Sequence, residues 1–139
     1  YAYKLEWLGR LLRMLDKEHD PSLPLVVTGD FNVAPADLDV HDPEAWRDEL
    51  LCSGPERQAL ASLLDWGLVD AFRALNPDAS LYTWWDYRRL GFPKNKGLRI
   101  DHVLLTRPLL ERCKAVEIDR EERKGKGASD HAPVLAHID

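Results

Sequence analysis

Leu25-Val26-Val27-Thr28-Gly29-Asp30-Phe31-Asn32 is an apolar, β-branched run that ends in a glycine, an acid and an amide. Runs of this kind read as buried strands, so the first polar functional groups stand at the end of a core element. The same arrangement recurs twice. Arg99-Ile100-Asp101-His102 opens onto Val103-Leu104-Leu105, and Ser129-Asp130-His131 opens onto Ala132-Pro133-Val134-Leu135. Groups at strand ends can converge from distant parts of a chain.

Outward from these stretches, Leu5, Leu8, Leu11, Leu12 and Leu15 recur at helical spacing, with Lys4, Glu6, Arg10, Arg13 and Asp16 on the other faces. This predicts an amphipathic helix over residues 2 to 18, ended by Asp20-Pro21 and Pro24. Residues 33 to 54 are rich in Asp and Pro and read as a long surface loop with a turn of helix near Trp46. Ser53 can cap a second helix with Pro55 in its first turn, running to Trp66 with Gly67 as its stop. Leu68 to Phe72 leads into the Asn76-Pro77 turn signal. Leu81 to Asp86, Ile100 to Thr106, Ala115 to Ile118 and Val134 to Ile138 read as strands, and Pro108 to Arg112 as a short helix. Strands alternate with helices over connections of varied length, so the class is α/β (α+β) with layered sheets.

The 139 residues fit one domain, and 45% apolar content suits a globular core. No run is long enough to span a membrane, and the amino terminus has no signal-peptide pattern. Cys52 and Cys113 lack metal-type spacing, and reduced thiols give a cytoplasmic expectation. A net charge of −5 argues against a polyanionic partner, but the local field decides binding. Arg88, Arg89, Lys94, Lys96 and Arg99 surround a Gly-Pro loop with no acid between Tyr87 and Ile100, and aromatic residues interleave with them, which favours phosphate contact. Arg120, Arg123, Lys124 and Lys126 are diluted by Glu121 and Glu122 and read equally well as a solvated loop. The chain starts at Tyr1 and its only methionine, Met14, lies within the helical pattern; it is expected to be part of a longer chain.

In an extended Asp30-Phe31-Asn32 the phenylalanine points away from its neighbours, so Asp30 and Asn32 share a face. The carboxylate can hold a metal-bound water or accept its proton, and the amide can hydrogen-bond a phosphoryl oxygen. An Asx-turn closing a strand is the competing reading. His131 is the side chain best able to exchange protons near neutrality, given a carboxylate to orient it, and Asp101 is the candidate partner. For Asp101 an ion pair with Arg99 competes. His102 points away from Asp101, and His19, His41 and His137 read as surface residues. Trp84 and Trp85 point to opposite sides of a strand, one into the core and one toward a cleft where it can pack on a base or extruded sugar. Trp7, Trp46 and Trp66 read as packing residues. Carboxylates, an amide and an imidazole together suit divalent-metal-assisted attack of water on a phosphate ester.

The ordered set of Leu25 to Asn32, Trp66-Gly67-Leu68-Val69-Asp70-Ala71-Phe72-Arg73, Thr83 to Arg88, Gly97-Leu98-Arg99-Ile100-Asp101 and Ser129 to Pro133 resembles the carboxy-terminal half of the exodeoxyribonuclease III family. That family comprises the bacterial AP endonucleases, within the endonuclease/exonuclease/phosphatase superfamily. The resemblance covers essentially the whole chain, and the tryptophan motifs point to the DNA-repair branch. It implies half of a four-layer, two-sheet sandwich, a Mg²⁺ or Mn²⁺ cofactor, and hydrolysis of duplex DNA at abasic sites or 3′ ends by a protein that is a monomer when complete. Carried over by motif, Asp30 positions or deprotonates the water and Asn32 stabilises phosphoryl oxygens. His131 contacts the scissile phosphate with Asp101 orienting it. Asp30, Asn32, Asp130 and His131 border the metal, Trp84 packs on the abasic sugar, and Arg88, Lys94, Lys96 and Arg99 contact DNA.

The family's amino-terminal half supplies an Asn, the principal metal-binding Glu and a catalytic Tyr, and none of Tyr1, Tyr3, Tyr82 or Tyr87 sits in the matching motif. The expectation is therefore one wall of a site, inactive alone and prone to association through exposed sheet surface. Another superfamily phosphodiesterase or phosphatase, and a noncatalytic nucleic-acid-binding remnant, are the alternatives.

Overall fold

The computed structural model describes residues 1–86, 91–124 and 129–139. Helix α1 (Ala2–Glu18) forms where the leucine spacing predicts it and buries Leu8 and Leu15. After a turn in which the Asp20 carboxylate accepts from the Ser22 backbone N–H at 2.9 Å, strand β1 (Val26–Asp30) begins. The next stretch departs from expectation. It holds a 3₁₀ turn at Asp37–Asp39 and the short helix α2 (Pro43–Trp46) capped by Asp42. Yet Ala34, Val40 and Cys52 are buried with Leu98 and Ile100, and Val33 is buried with Leu8, Leu60 and Leu104, so this segment is a core wall and not only surface.

Helix α3 (Gly54–Trp66) starts at the predicted Ser53 cap. The Ser53 hydroxyl accepts from Glu56 N, and the Glu56 carboxylate accepts from Ser53 N in return, both at 3.3 Å. Gly67 ends the helix at φ 136°, where a Cβ would collide with Pro21. Strand β2 (Leu68–Asp70) passes directly into helix α4 (Ala71–Leu75), which hydropathy alone did not reveal. Its cause is the Asp70 carboxylate, which accepts from Arg73 N at 3.3 Å and caps the turn. The aromatic strand predicted over residues 81 to 86 shrinks to β3 (Trp84–Trp85), because its partner β4 is only Gly97–Leu98. Strand β5 (Asp101–Thr106), helix α5 (Arg107–Leu110), strand β6 (Cys113–Ile118) and strand β7 (Val134–Ile138) complete the described chain.

All strand pairs among the described residues are antiparallel. The main sheet has the order β1-β5-β2, and β6-β7 and β3-β4 form two further ladders. Strand β5 is the centre. On one face Leu104 joins Leu8, Leu15, Phe31, Leu60 and Leu63 beneath α1 and α3, and on the other Val103 and Leu105 join Phe72, Leu109, Cys113 and Val116. Strand β1 is not buried on both faces as its composition predicts. It pairs only with β5 among the described strands, and Val26 stays 43% exposed. Leu135 and Ile138 on β7 are likewise open. No helix among the described residues is long and apolar enough to cross a membrane.

An edge strand with unpaired backbone groups and exposed apolar side chains is a template for pairing with another chain. The 139-residue chain is expected to self-associate, and Val26→Lys to shift it toward monomer in sedimentation velocity. A wild-type chain that stays monomeric at high concentration contradicts this use of the edge.

Candidate active site

The register of β1 against β5 sets Asp30 directly opposite Asp101. Like charges across a ladder oppose each other, so this pairing calls for a cation or a shared proton. His131 comes close to both acids. Its segment is tied to β3 through Trp85 N donating to the Asp130 carbonyl at 3.1 Å and Ala132 N donating to the Thr83 carbonyl at 2.8 Å. Thr83, wholly buried, accepts from the Ile100 and Asp101 backbone N–H groups through its hydroxyl, at 3.0 and 3.1 Å. One threonine thus links the strand end that carries Asp101 to the segment that carries His131.

His131 Nδ1 donates to Asp101 Oδ2 at 2.8 Å. The carboxylate only accepts, so the proton sits on Nδ1 and Nε2 faces the other acids. Nε2 lies 3.7 Å from Asp30 Oδ2 and 3.7 Å from Asp130 Oδ1. Both separations exceed a hydrogen bond and leave Nε2 available to a third atom. Asp101 raises the His131 pKa, chiefly by that hydrogen bond, against the opposing effect of burial. Burial first, and then the Asp101 charge, push the Asp30 carboxyl above the usual range. The Asn32 backbone N–H, His131 and Lys4 pull the other way without cancelling this.

Asp30-Phe31-Asn32 does not continue as a strand. Phe31 enters the core as expected, but Asp30 Oδ1 accepts from Asn32 N at 2.9 Å and Asn32 turns left-handed at φ 54°. The Asx-turn forms, and strand alternation is not what brings Asp30 and Asn32 together. They nevertheless line one cleft of about 430 Å³. Gly29, at φ 150° with open space around it, releases the chain into that turn.

Trp85 is the core tryptophan, packed edge-on against Phe92. Trp84 is half-buried and lines a cleft of about 560 Å³ with His41, Trp46, Asp86 and Lys96. Its indole N–H donates to Asp130 Oδ2 at 3.0 Å, so the aromatic wall and the acid of Ser129-Asp130-His131 are one hydrogen-bonded unit. His41 and Trp46 had no sequence signal for this position. His41 is held there by its ring Nδ1 on the Gly97 carbonyl, 3.1 Å away. Lys94 and Lys96 are exposed, and Arg88 lies outside the described residues.

Arg99 requires correction as a DNA contact. It is 1% exposed, and its guanidinium donates to Asp39 Oδ1 at 2.7 Å and to both Asp70 oxygens at 3.0 and 2.6 Å. It does not pair with Asp101. The Arg99 Nη1–H also donates to His102 Nδ1 at 3.2 Å, while His102 Nε2 donates to the Val33 carbonyl at 2.8 Å. Burial, and then Arg99, hold the His102 pKa below its ordinary value.

Among the described residues, Asp30, Asp101 and His131 bring one donor atom each within 4.8 Å of one another. Two carboxylates set this close beside an imidazole suit a hard divalent ion, and the residues present fit one. Asp101 enters this cluster in addition to orienting His131, while one Asp130 oxygen is taken by Trp84.

An antiparallel sheet packed on both faces thus carries an acid–imidazole cluster at its strand ends. The chain belongs to the endonuclease/exonuclease/phosphatase family, whose model matches residues 1–131. It is 43% identical over 145 residues to exodeoxyribonuclease III of Haemophilus influenzae, covering 99% of this chain and 54% of the relative. The structure of an AP endonuclease from Archaeoglobus fulgidus superposes with a TM-score of 0.94 at 38% identity, over 100% of this chain and 55% of that one. A 3′ phosphatase from Neisseria, bound to a product DNA hairpin, gives a TM-score of 0.93 at 42% identity, over 99% and 54%. The chain spans about half the length of the curated relatives it matches.

Two outcomes follow from this geometry. Asp101→Asn is expected to lower the His131 pKa toward the ordinary histidine value in an NMR titration. Since the folded pKa is raised, the pair's contribution to stability is complete below the unfolded pKa and is lost as pH rises through the folded one; the variant loses that dependence. Arg99→Met is expected to destabilise the fold by about 3–5 kcal/mol in chemical denaturation, because it leaves buried carboxylates without their partner. Native stability with weakened DNA binding would instead return Arg99 to a phosphate role.

Proposed function

We propose that this chain carries the phosphate-contacting wall of a metal-dependent DNA repair nuclease that hydrolyses phosphodiesters at abasic sites and 3′ ends of duplex DNA. The observation that carries the reading is His131, oriented through Nδ1 by Asp101 with Nε2 left available between Asp30 and Asp130. An imidazole held this way, whose protonated form the Asp101 carboxylate favours, can donate its Nε2–H to a phosphoryl oxygen as charge develops there. Asp30, whose carboxyl is raised above the usual range, holds the nucleophilic water and accepts its proton. Asn32 hydrogen-bonds a second phosphoryl oxygen.

Asp30, with Asn32 and Asp130 beside it, would contribute to the shell of a Mg²⁺ or Mn²⁺ ion, and His131 would border that shell through its N–H and not as a ligand. Such an ion, when bound, polarises the phosphate and lowers the pKa of a bound water. Trp84 packs on the sugar of the damaged nucleotide, and Lys94 and Lys96 follow the backbone phosphates. The remainder of the metal shell comes from the other half of the family domain, so the catalytic unit is the whole domain, acting as a monomer.

The test is Mg²⁺-dependent incision of a duplex with one abasic analogue by the full-length protein. His131→Ala is expected to lower kcat by two orders of magnitude or more, on the scale of about 10²–10⁴ for a positioned proton donor. Full activity in the variant sinks the mechanism, cleavage of a phosphoinositide but not of DNA shifts the substrate, and binding without incision leaves a nucleic-acid-binding module.

A further inference from the structure

Glu56, in the first turn of α3, is fully buried and lies outside the acid–imidazole cluster. Its carboxylate accepts from the Leu51 backbone N–H at 3.0 Å, from Ser53 N at 3.3 Å and from the Ser53 hydroxyl at 2.8 Å. It also pairs with the Lys4 ammonium, which reaches across from α1. Lys4 has a second acceptor, the Asn32 carbonyl at 2.7 Å. A capping box needs only Ser53 and Glu56, so the Lys4 contacts ask for a separate reason.

Two non-glycine residues here are left-handed, Asn32 at φ 54° and Leu51 at φ 79°. The conformation is tolerated by asparagine but costs an ordinary side chain on the order of 1–2 kcal/mol. It persists where the surroundings over-determine it. Glu56 holds the Leu51 N–H, and the Leu51 carbonyl accepts from Ala34 N at 2.8 Å. The turn that follows β1 is thereby gripped on three sides. Asp30 holds the Asn32 N–H, Lys4 holds the Asn32 carbonyl, and Leu51 holds Ala34.

We propose that Lys4 and Glu56 form a positioning pair that fixes Asn32 in its left-handed conformation beside Asp30, so that the amide meets a phosphoryl oxygen without reorganising. The role rests on the reading of Asn32 given above. Neither Lys4 nor Glu56 needs to touch substrate. Glu56 anchors the ammonium, and the ammonium sets the peptide of a residue that does.

In the full-length protein, Lys4→Met keeps the aliphatic stem and removes the charge. It is expected to lower kcat for the abasic duplex by about 10–100-fold while KM changes by no more than about twofold, the scale of a misplaced rather than missing group. Lys4→Arg, which still reaches both acceptors, is expected to restore most of the rate. The ¹³Cα and ¹³Cβ shifts of Asn32 should leave their left-handed values in Lys4→Met and keep them in Lys4→Arg. If Lys4→Met does not fold, Glu56→Gln, which keeps the shape and loses the charge, takes its place with the same two readouts. Unmoved Asn32 shifts overturn the proposal, as does a wild-type kcat in a variant whose shifts have moved. A wild-type protein that incises no DNA defeats the functional reading instead, and the Asn32 shifts still decide the positioning.

Discussion

The pairing of β1 with β5 is the constraint on which the rest depends. It sets Asp30 opposite Asp101, and its register is locked because β5 is buried on both faces. Leu104 serves one core, and Val103 and Leu105 serve the other. A slip of one residue would send each of these side chains to the wrong face and would also part the two acids. Packing under α1 and α3 therefore stabilises an arrangement of charges that is unfavourable by itself. The imidazole of His131 is the compensation visible in the structure.

A second set of charges supports the first from below. Arg99 joins Asp39 in the segment after β1 to Asp70 at the start of α4, and His102 links the same arginine to the Val33 carbonyl. Arg73 adds a further hold on Asp39. Buried ion pairs give little net stability against an apolar equivalent, but they are directional. This one ties the segment carrying Val33 to Val40 against the strand that begins at Asp101, and so sets one side of the Trp84 cleft.

The sequence makes the regular elements easy to read and the irregular ones hard. Leucine spacing gives α1 to the residue, and Ser53 with Gly67 delimits α3, because local caps and periodicity decide both. Helix α4 escapes hydropathy since a five-residue helix has almost no period, although Asp70 three residues before Arg73 was a usable cap signal. The acids and imidazole of the site were legible as residues, and the Asp101–His131 contact as a pair. What failed was geometric. Asn32 leaves the strand through a left-handed turn, and Arg99 points inward, because neither backbone handedness nor the partner of a charge 60 positions away (Asp39) is written in local pattern. Likewise His41 and Trp46 reach the Trp84 cleft through a segment whose polar composition concealed a buried interior.

The bond from the Trp84 indole to Asp130 has a consequence for discrimination between ligands. The Trp84 backbone also forms an isolated antiparallel bridge with that of His131, so the aromatic wall of the cleft and the acid–imidazole cluster move as one piece. A ligand that seats badly against the ring would tilt the acid and the imidazole with it. Under the proposed function, selection then registers as turnover more than as affinity, since a poorly matched nucleotide can be held by its phosphates and still find the chemistry out of alignment.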